Sequence, residues 1–267
     1  MAATLNDQSM KPPIISSAIT AWRDALLAVR DMKAVAGIAF LLMTAVSASE
    51  AVVNAYLFPG DEGGWLQQVL GVIFLAVHSM VATPLAIAVH RYLLLGETVQ
   101  RYALDFSSPR FLRFFAFVMA FYCLAFLLPI WIFALVGSGW GGLASVVVFF
   151  IAAGVALRCV MIFPAIAVDA AGASLGNALL DAKGDGWRIS WLILVTAVPI
   201  FAIVILGVVL VVWLPGWAEN VIVALIDSLI TFLMITGVAA AASRLYAAYA
   251  DRLGRPANLR SIVPAAN

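Results

Sequence analysis

Six predominantly apolar runs constrain this chain more than any other feature: roughly Ala34 to Phe58, Trp65 to Val89, Phe111 to Val136, Ala144 to Val168, Ser190 to Leu214, and Glu219 to Ala242. A hydrocarbon core of roughly 30 Å is crossed by about 20 apolar residues in helix, so each run reads as a transmembrane span. Composition agrees: hydrophobic residues make up 65% of the 267 and charged residues 11%, whereas soluble domains carry about 45–50% and about 25%. Barrel strands alternate apolar and polar residues, which these runs do not, so a β-barrel is excluded on pattern. The fold class predicted is all-α, a polytopic bundle of about six transmembrane helices built as three hairpins, with amphipathic helices on the cytoplasmic side.

Charge decides the orientation. The connections after the first, third and fifth spans are PGDEGGW (Pro59 to Trp65), GSGWGG (Gly137 to Gly142) and LPGW (Leu214 to Trp217), and none contains Lys or Arg. The other connections hold Arg91, Arg101, Arg110, Lys183 and Arg188, while the two ends hold Lys11, Arg23, Arg30, Lys33, Arg244, Arg252, Arg255 and Arg260. Basic residues are retained on the cytoplasmic side, so both termini are expected there, in a bacterial cytoplasmic (inner) membrane. Trp65, Trp140 and Trp217 mark the opposite interface as anchors. The organisation predicted is a cytoplasmic segment over 1–33, a transmembrane domain over 34–250 and a cytoplasmic tail over 251–267.

The first 33 residues contain Lys11, Asp24, Arg30 and Asp31 and no leading apolar core, so the first span is expected to act as its own insertion signal. Within them Ile15, Ile19, Trp22, Leu26 and Val29 recur at helical spacing opposite Ser16, Thr20, Arg23, Asp24 and Asp31. That pattern predicts an amphipathic helix, either along the inner leaflet or on the protein's own cytoplasmic face. Glu97 to Arg110 and Ser174 to Lys183 are further short helical candidates, with Pro109 suited to a helix start and Gly184 and Gly186 to a stop. The tail past Gly254, with Pro256 and Pro264, is expected to be poorly ordered.

Ionisable groups within spans are costly and by default face the bundle interior. Four form the candidate intramembrane polar cluster: Glu50, His78, Arg158 and Asp227. At about 1.5 Å per residue, Glu50 and Asp227 lie on the order of 10–12 Å below the outer edge, and His78 and Arg158 roughly 20 Å down. Helical side chains lean toward the N-terminus, which brings Arg158 and Glu50 toward each other and predicts an interior ion pair between them. Thr44, Ser47, Glu50 and Asn54 continue a polar stripe on the first span. Such groups either fix helix register or line a path for protons or a small solute. Pro84, Pro129, Pro164 and Pro199 are placed to open their spans and free backbone carbonyls. Gly237 and Ala241 offer small residues at four-residue spacing for close helix approach.

No HExxH, GxSxG or GxxxxGK[ST] pattern occurs, and Cys123 and Cys159 have neither CxxC spacing nor a nearby His. No catalytic residue, metal ligand or cofactor is therefore assigned, and the expectation is a protein that is not an enzyme. The basic residues are dispersed and the net charge is +1, which points to no nucleic-acid partner. The partners expected are the lipid bilayer and a further membrane protein or a second copy. Two readings follow: a scaffold or partner-binding subunit, or a transporter or permease subunit with a polar intramembrane path.

AIAVH (Ala86 to His90) and AIAVD (Ala165 to Asp169) echo one another at the ends of the second and fourth spans. Arg158, Pro164, Asp169, the segment Asn177 to Lys183 and Gly184 follow in an order that resembles YciC-like bacterial inner-membrane proteins and the membrane domain of some glycerophosphodiester phosphodiesterases. The resemblance implies a six-helix bacterial membrane protein and carries over no catalytic residue.

Overall fold

The computed structural model describes residues 13–58, 64–136, 140–213 and 216–259, apart from the side chains of 212 and 216–220. Its helices are α1 (Ile14–Asp31), α2 (Lys33–Leu57), α3 (Gly64–Leu95), α4 (Pro109–Tyr122), a π-helical turn (Cys123–Leu127), α5 (Leu128–Val136), α6 (Trp140–Cys159), α7 (Ile162–Ala167), α8 (Leu175–Asp181), α9 (Gly186–Val212) and α10 (Gly216–Tyr249). Six stretches are long and apolar enough to span a membrane: α2, α3, the composite Pro109–Val136, α6, α9 and α10. The outer surface supports that use. Phe150, Ile151 and Ile205 are 68%, 62% and 66% exposed, which suits lipid and would be a liability in water. The chain is a multi-pass, all-α membrane protein.

The three hairpins are α2 with α3, α4–α5 with α6, and α9 with α10. The turns at 59–63, 137–139 and 214–215 fall outside the described residues. Trp65 and Trp140, beside two of them, are 74% and 80% exposed. The third hairpin is central, because α10 packs against α1, α2, α3, α7 and α9. Small residues make this possible: Ala239, Ala240, Ala241, Ala242 and Ser243 are all buried, and small side chains let helix backbones approach closely. At about 1.5 Å per residue, the 32 residues of α3 and 34 of α10 reach roughly 50 Å and outrun a hydrocarbon core of about 30 Å. Their C-terminal turns project on the side that carries Arg91, Arg110 and Arg244, called here the basic face.

The prolines act as carbonyl openers. A proline ring pushes away the preceding turn, loosening carbonyls three and four residues before it. Three residues before Pro199, the Thr196 carbonyl accepts from Trp22 Nε1 at 3.0 Å. Three before Pro84, the Val81 carbonyl accepts from Tyr102 Oη at 2.7 Å. In the second hairpin the π-helical turn precedes Pro129, whose carbonyl accepts from Ser145 Oγ on α6 at 2.7 Å. Membrane helices tolerate proline where neighbours satisfy the freed groups in this way.

Several expectations change. The amphipathic α1 forms over Ile14–Asp31, but its buried face is Ser17, Ala18, Ala21, Ala25 and Ala28, while Ile15, Ile19 and Leu26 are exposed. Close packing in lipid selects small residues over bulky ones, so the alanine stripe seats α1 on α9 and α10 and the larger apolar residues turn outward. Asp24, expected on the polar outer face, is half-buried against Arg244 at 2.7 Å. Gly237 serves within the bundle, since a Cβ there would lie 2.9 Å from the Trp22 ring.

The segment from Glu97 to Ser108 is irregular rather than helical; Tyr102 and the Arg91–Glu97 ion pair at 2.6 Å hold it instead of a helical ladder. Pro109 does open the following helix. The Ser174 cap forms, accepting the Asn177 N–H at 3.3 Å, and Gly184 takes a positive φ of 93° after the helix. The start of the tail, 251–253, is docked, and of the stretch past Gly254 residues 260–267 lie outside the described residues. Asp181 accepts the N–H groups of Asp251, Arg252 and Leu253 at 2.9–3.0 Å, and Leu253 is fully buried.

Candidate intramembrane site

Between α3, α4 and α10 lies a cavity of about 600 Å³, within the range of about 300–1,000 Å³ usual for small-molecule sites. Its walls follow from helical periodicity. On α3, Gly71, Leu75, His78, Ala82, Ala86 and His90 line it at steps of three and four, and on α10 Asp227, Thr231, Met234, Val238 and Ala242 do the same. These are one face of each helix. The space exists because alanine and glycine supply much of that face, while Phe114, Tyr122 and Phe163 close the far wall. From Gly71 to His90 the lining runs roughly 28 Å along α3 at about 1.5 Å per residue.

Three of the four predicted polar residues meet at one end. Ser47 on α2 donates its hydroxyl proton to Asp227 Oδ2 at 2.7 Å and stands 2.9 Å from His78 Nε2. Ser228 Oγ, which donates to the Ala224 carbonyl at 2.6 Å, closes the group 3.2 Å from Ser47. A serine carries one hydroxyl proton and a carboxylate only accepts. While the Ser47 proton is given to Asp227, His78 must be the donor to Ser47, which selects its Nε2–H tautomer. Direct contact is absent, since His78 Nε2 and Asp227 Oδ2 are 4.0 Å apart. Glu50, one turn along α2, lines the same end, and its charge and that of Asp227 act on each other.

A serine, a histidine and an aspartate together invite comparison with a hydrolytic triad. The order differs. In the triad the imidazole stands between serine and carboxylate and removes the serine proton. Here serine stands in the middle, its proton is directed at the carboxylate, and the imidazole donates to it.

Arg158 does not join the cluster, and the predicted ion pair with Glu50 does not form. The fourth apolar run extends to Val168, but the helix ends at Cys159 and α7 restarts at Ile162. That break places Arg158 in the last turn on the basic face, exposed, with its side chain over Gly186. Gly186 leaves the room: a Cβ there would meet Arg158 Nε at 2.9 Å.

Sequence reasoning missed His90. It is 1% exposed, bonded through Nδ1 to Ser243 Oγ at 2.8 Å and tilted on Phe114. A signal was present, because residues 78, 82, 86 and 90 repeat every four along one helix. The AIAVH and AIAVD echo also separates here. His90 stays inside α3, whereas Asp169 leaves α7 at a positive φ of 54°. There it binds Arg110, whose Nε donates to Oδ1 at 3.0 Å, and lies 3.7 Å from Arg91. Cys123 is exposed and Cys159 buried, both as free thiols. No protein-family model, no curated protein and no solved structure matches the chain.

Proposed function

We propose that this chain is a non-enzymatic transport protein of the bacterial cytoplasmic membrane, a transporter or permease subunit, with both termini cytoplasmic. The supporting observation is the polar-ended cavity that runs from Glu50 and Asp227 to His90. A purely structural cluster would be sealed by apolar neighbours, whereas the Asp227 side chain is 54% exposed. Intramembrane ionisable groups on a cavity wall are the usual mark of a solute or proton path. The YciC-like resemblance belongs to the same proposal and rests on Arg158, Pro164, Asp169, the segment Asn177 to Lys183 and Gly184.

Water access tests it. In a variant lacking Cys123 and Cys159, single cysteines at Ala82, Thr231 and Ala239 are expected to react with a membrane-impermeant thiol reagent, and one at lipid-facing Ile205 is not. Uniform protection of the three cavity positions would sink the reading. Glu50→Gln is expected to preserve expression and folding.

A scaffold that binds a membrane partner is the second reading, favoured by the exposed apolar residues Ile15, Ile19 and Leu26 of α1. Its distinguishing outcome is loss of expression in Glu50→Gln together with protected cavity cysteines.

A further inference from the structure

We propose that His78 and Asp227, in the wall of the cavity, and the buried Ser47 between them form a proton relay, and that the protein conducts protons through it. The inference rests on the path reading above and names the ion that uses the path.

Donor counting carries the argument. Ser47 Oγ is 2.9 Å from His78 Nε2 and 2.7 Å from Asp227 Oδ2, both within hydrogen-bond reach. The two titratable ends are 4.0 Å apart and exchange nothing directly. The hydroxyl is therefore the only bridge between them within hydrogen-bond distance among the described residues. When a proton arrives from the cavity at His78 Nδ1, the ring becomes imidazolium. Its Nε2–H bond then breaks as a new O–H forms at Ser47, while the original Ser47 O–H breaks and a new O–H forms at Asp227 Oδ2. One proton leaves the ring and one reaches the carboxylate. Ser47 keeps a single hydroxyl proton, and the imidazole stays protonated at Nδ1. Both hydrogen bonds now run the other way, from Asp227 to Ser47 and from Ser47 to His78.

The step converts a charged pair into a neutral one, which a weakly polar surrounding favours. Release of the Asp227 proton toward Glu50, rotation of the Ser47 hydroxyl back toward Asp227, and exchange at the ring, in which Nδ1 gives its proton to the cavity as Nε2 takes one from it, restore the starting direction. Among the described residues, Glu50 from α2 and Tyr122 from α4 are further titratable groups that interact electrostatically with Asp227. Glu50 shares its end of the cavity and is the group placed to accept or supply the proton there. At the opposite end His90 lines the cavity on the same face of α3. Ser228 lies outside the chain of transfer, because of its two acceptors, Ser47 Oγ at 3.2 Å and the Ala224 carbonyl at 2.6 Å, the nearer takes its proton.

The test uses the full chain in vesicles loaded with a pH-sensitive dye, under a potassium and valinomycin clamp, with an imposed pH step. The parent is expected to carry protons faster than protein-free vesicles. Ser47→Ala removes the bridge with little change of volume and is expected to slow conduction on the order of 100-fold, the usual worth of a positioned proton carrier. Ser47→Thr keeps the hydroxyl and is expected to recover most of the rate. Ser49→Ala, on the same helix but exposed and with its hydroxyl on the Ala45 carbonyl, is expected to conduct like the parent. Elution volume and thermal midpoint in detergent check that the Ser47→Ala protein is folded. Conduction by that folded variant at the parental rate overturns the relay. So does a parent indistinguishable from empty vesicles, and that result leaves the path reading to stand or fall on the thiol labelling.

Discussion

Asp24 and Arg244 illustrate what a single half-buried contact does in this bundle. Their side chains are 17% and 13% exposed and meet at 2.7 Å, pinning α1 to α10 near the basic face. Removing one partner strands the other charge, at a cost below the about 3–5 kcal/mol typical of a fully buried pair. Arg244→Met is therefore expected to lower the thermal midpoint sharply, and the double variant Asp24→Leu with Arg244→Met to recover much of the loss. A second residue-scale prediction concerns Tyr102, whose phenol burial pushes up to about 12. The ordinary value is about 10, so the folded state holds the neutral phenol after the unfolded chain would have ionised. Stability from this group is full below about 10 and is lost as pH rises through about 12. Tyr102→Phe is expected to remove one equivalent from the upper end of an absorbance titration. It also deletes the bond to Val81, worth about 1 kcal/mol.

At the scale of elements, α1 is held by a fitted pair. Trp22 lies on Gly237 and bonds to the carbonyl loosened by Pro199. Gly237→Leu must displace that ring, and overpacking of this kind costs about 1–3 kcal/mol. The expected readout is a lower midpoint with earlier proteolytic release of α1, while Gly37→Ala, with nothing within 4 Å of its Cβ position, stays near the parent. On the opposite flank, α8 secures the tail through the Asp181 carboxylate and three backbone N–H groups. Asp181→Ala is expected to expose Arg252 and Arg255 to trypsin faster than in the parent. The Asp31 carboxyl, which accepts from Tyr92 at 2.6 Å and from Arg30, is held below its ordinary range chiefly by the Tyr92 bond. The contact between α1 and α3 is thus present at neutral pH and is lost as pH falls through that lowered value. Asp31→Asn is expected to blunt the acid sensitivity of α1 release.

For the whole molecule, orientation and path are the two consequences that matter. A cysteine placed at Trp140 is expected to react with an impermeant reagent added outside intact cells, and one placed at Arg255 only after the membrane is opened. The opposite pattern would reverse the topology read from the basic loops. The central position of α10 gives the molecule its asymmetry. It carries the carboxylate of the candidate site, faces the cavity, receives α1 and ends in the docked tail.

Lipid as solvent made much of this legible in the sequence. Spans must be long, apolar and internally hydrogen-bonded, so six hairpin-forming helices, the openings at Pro84 and Pro199 and the cavity-lining Glu50, His78 and Asp227 could be read from spacing alone. Which polar groups touch could not be read that way. Arg158 failed to reach Glu50 because the helix broke at Cys159, a local event that run length does not encode. His90 lay past the apparent end of an apolar run, yet α3 continues beyond the hydrocarbon and other helices cover it. The bulky residues of α1 marked an amphipathic helix for the leaflet or for the protein's own face, and close packing on α9 and α10 selected the alanines while Ile15, Ile19 and Leu26 stayed exposed. Periodicity fixes the face a side chain occupies along its own helix. Only the packing of several helices decides what stands opposite, and here it set a serine between a histidine and an aspartate.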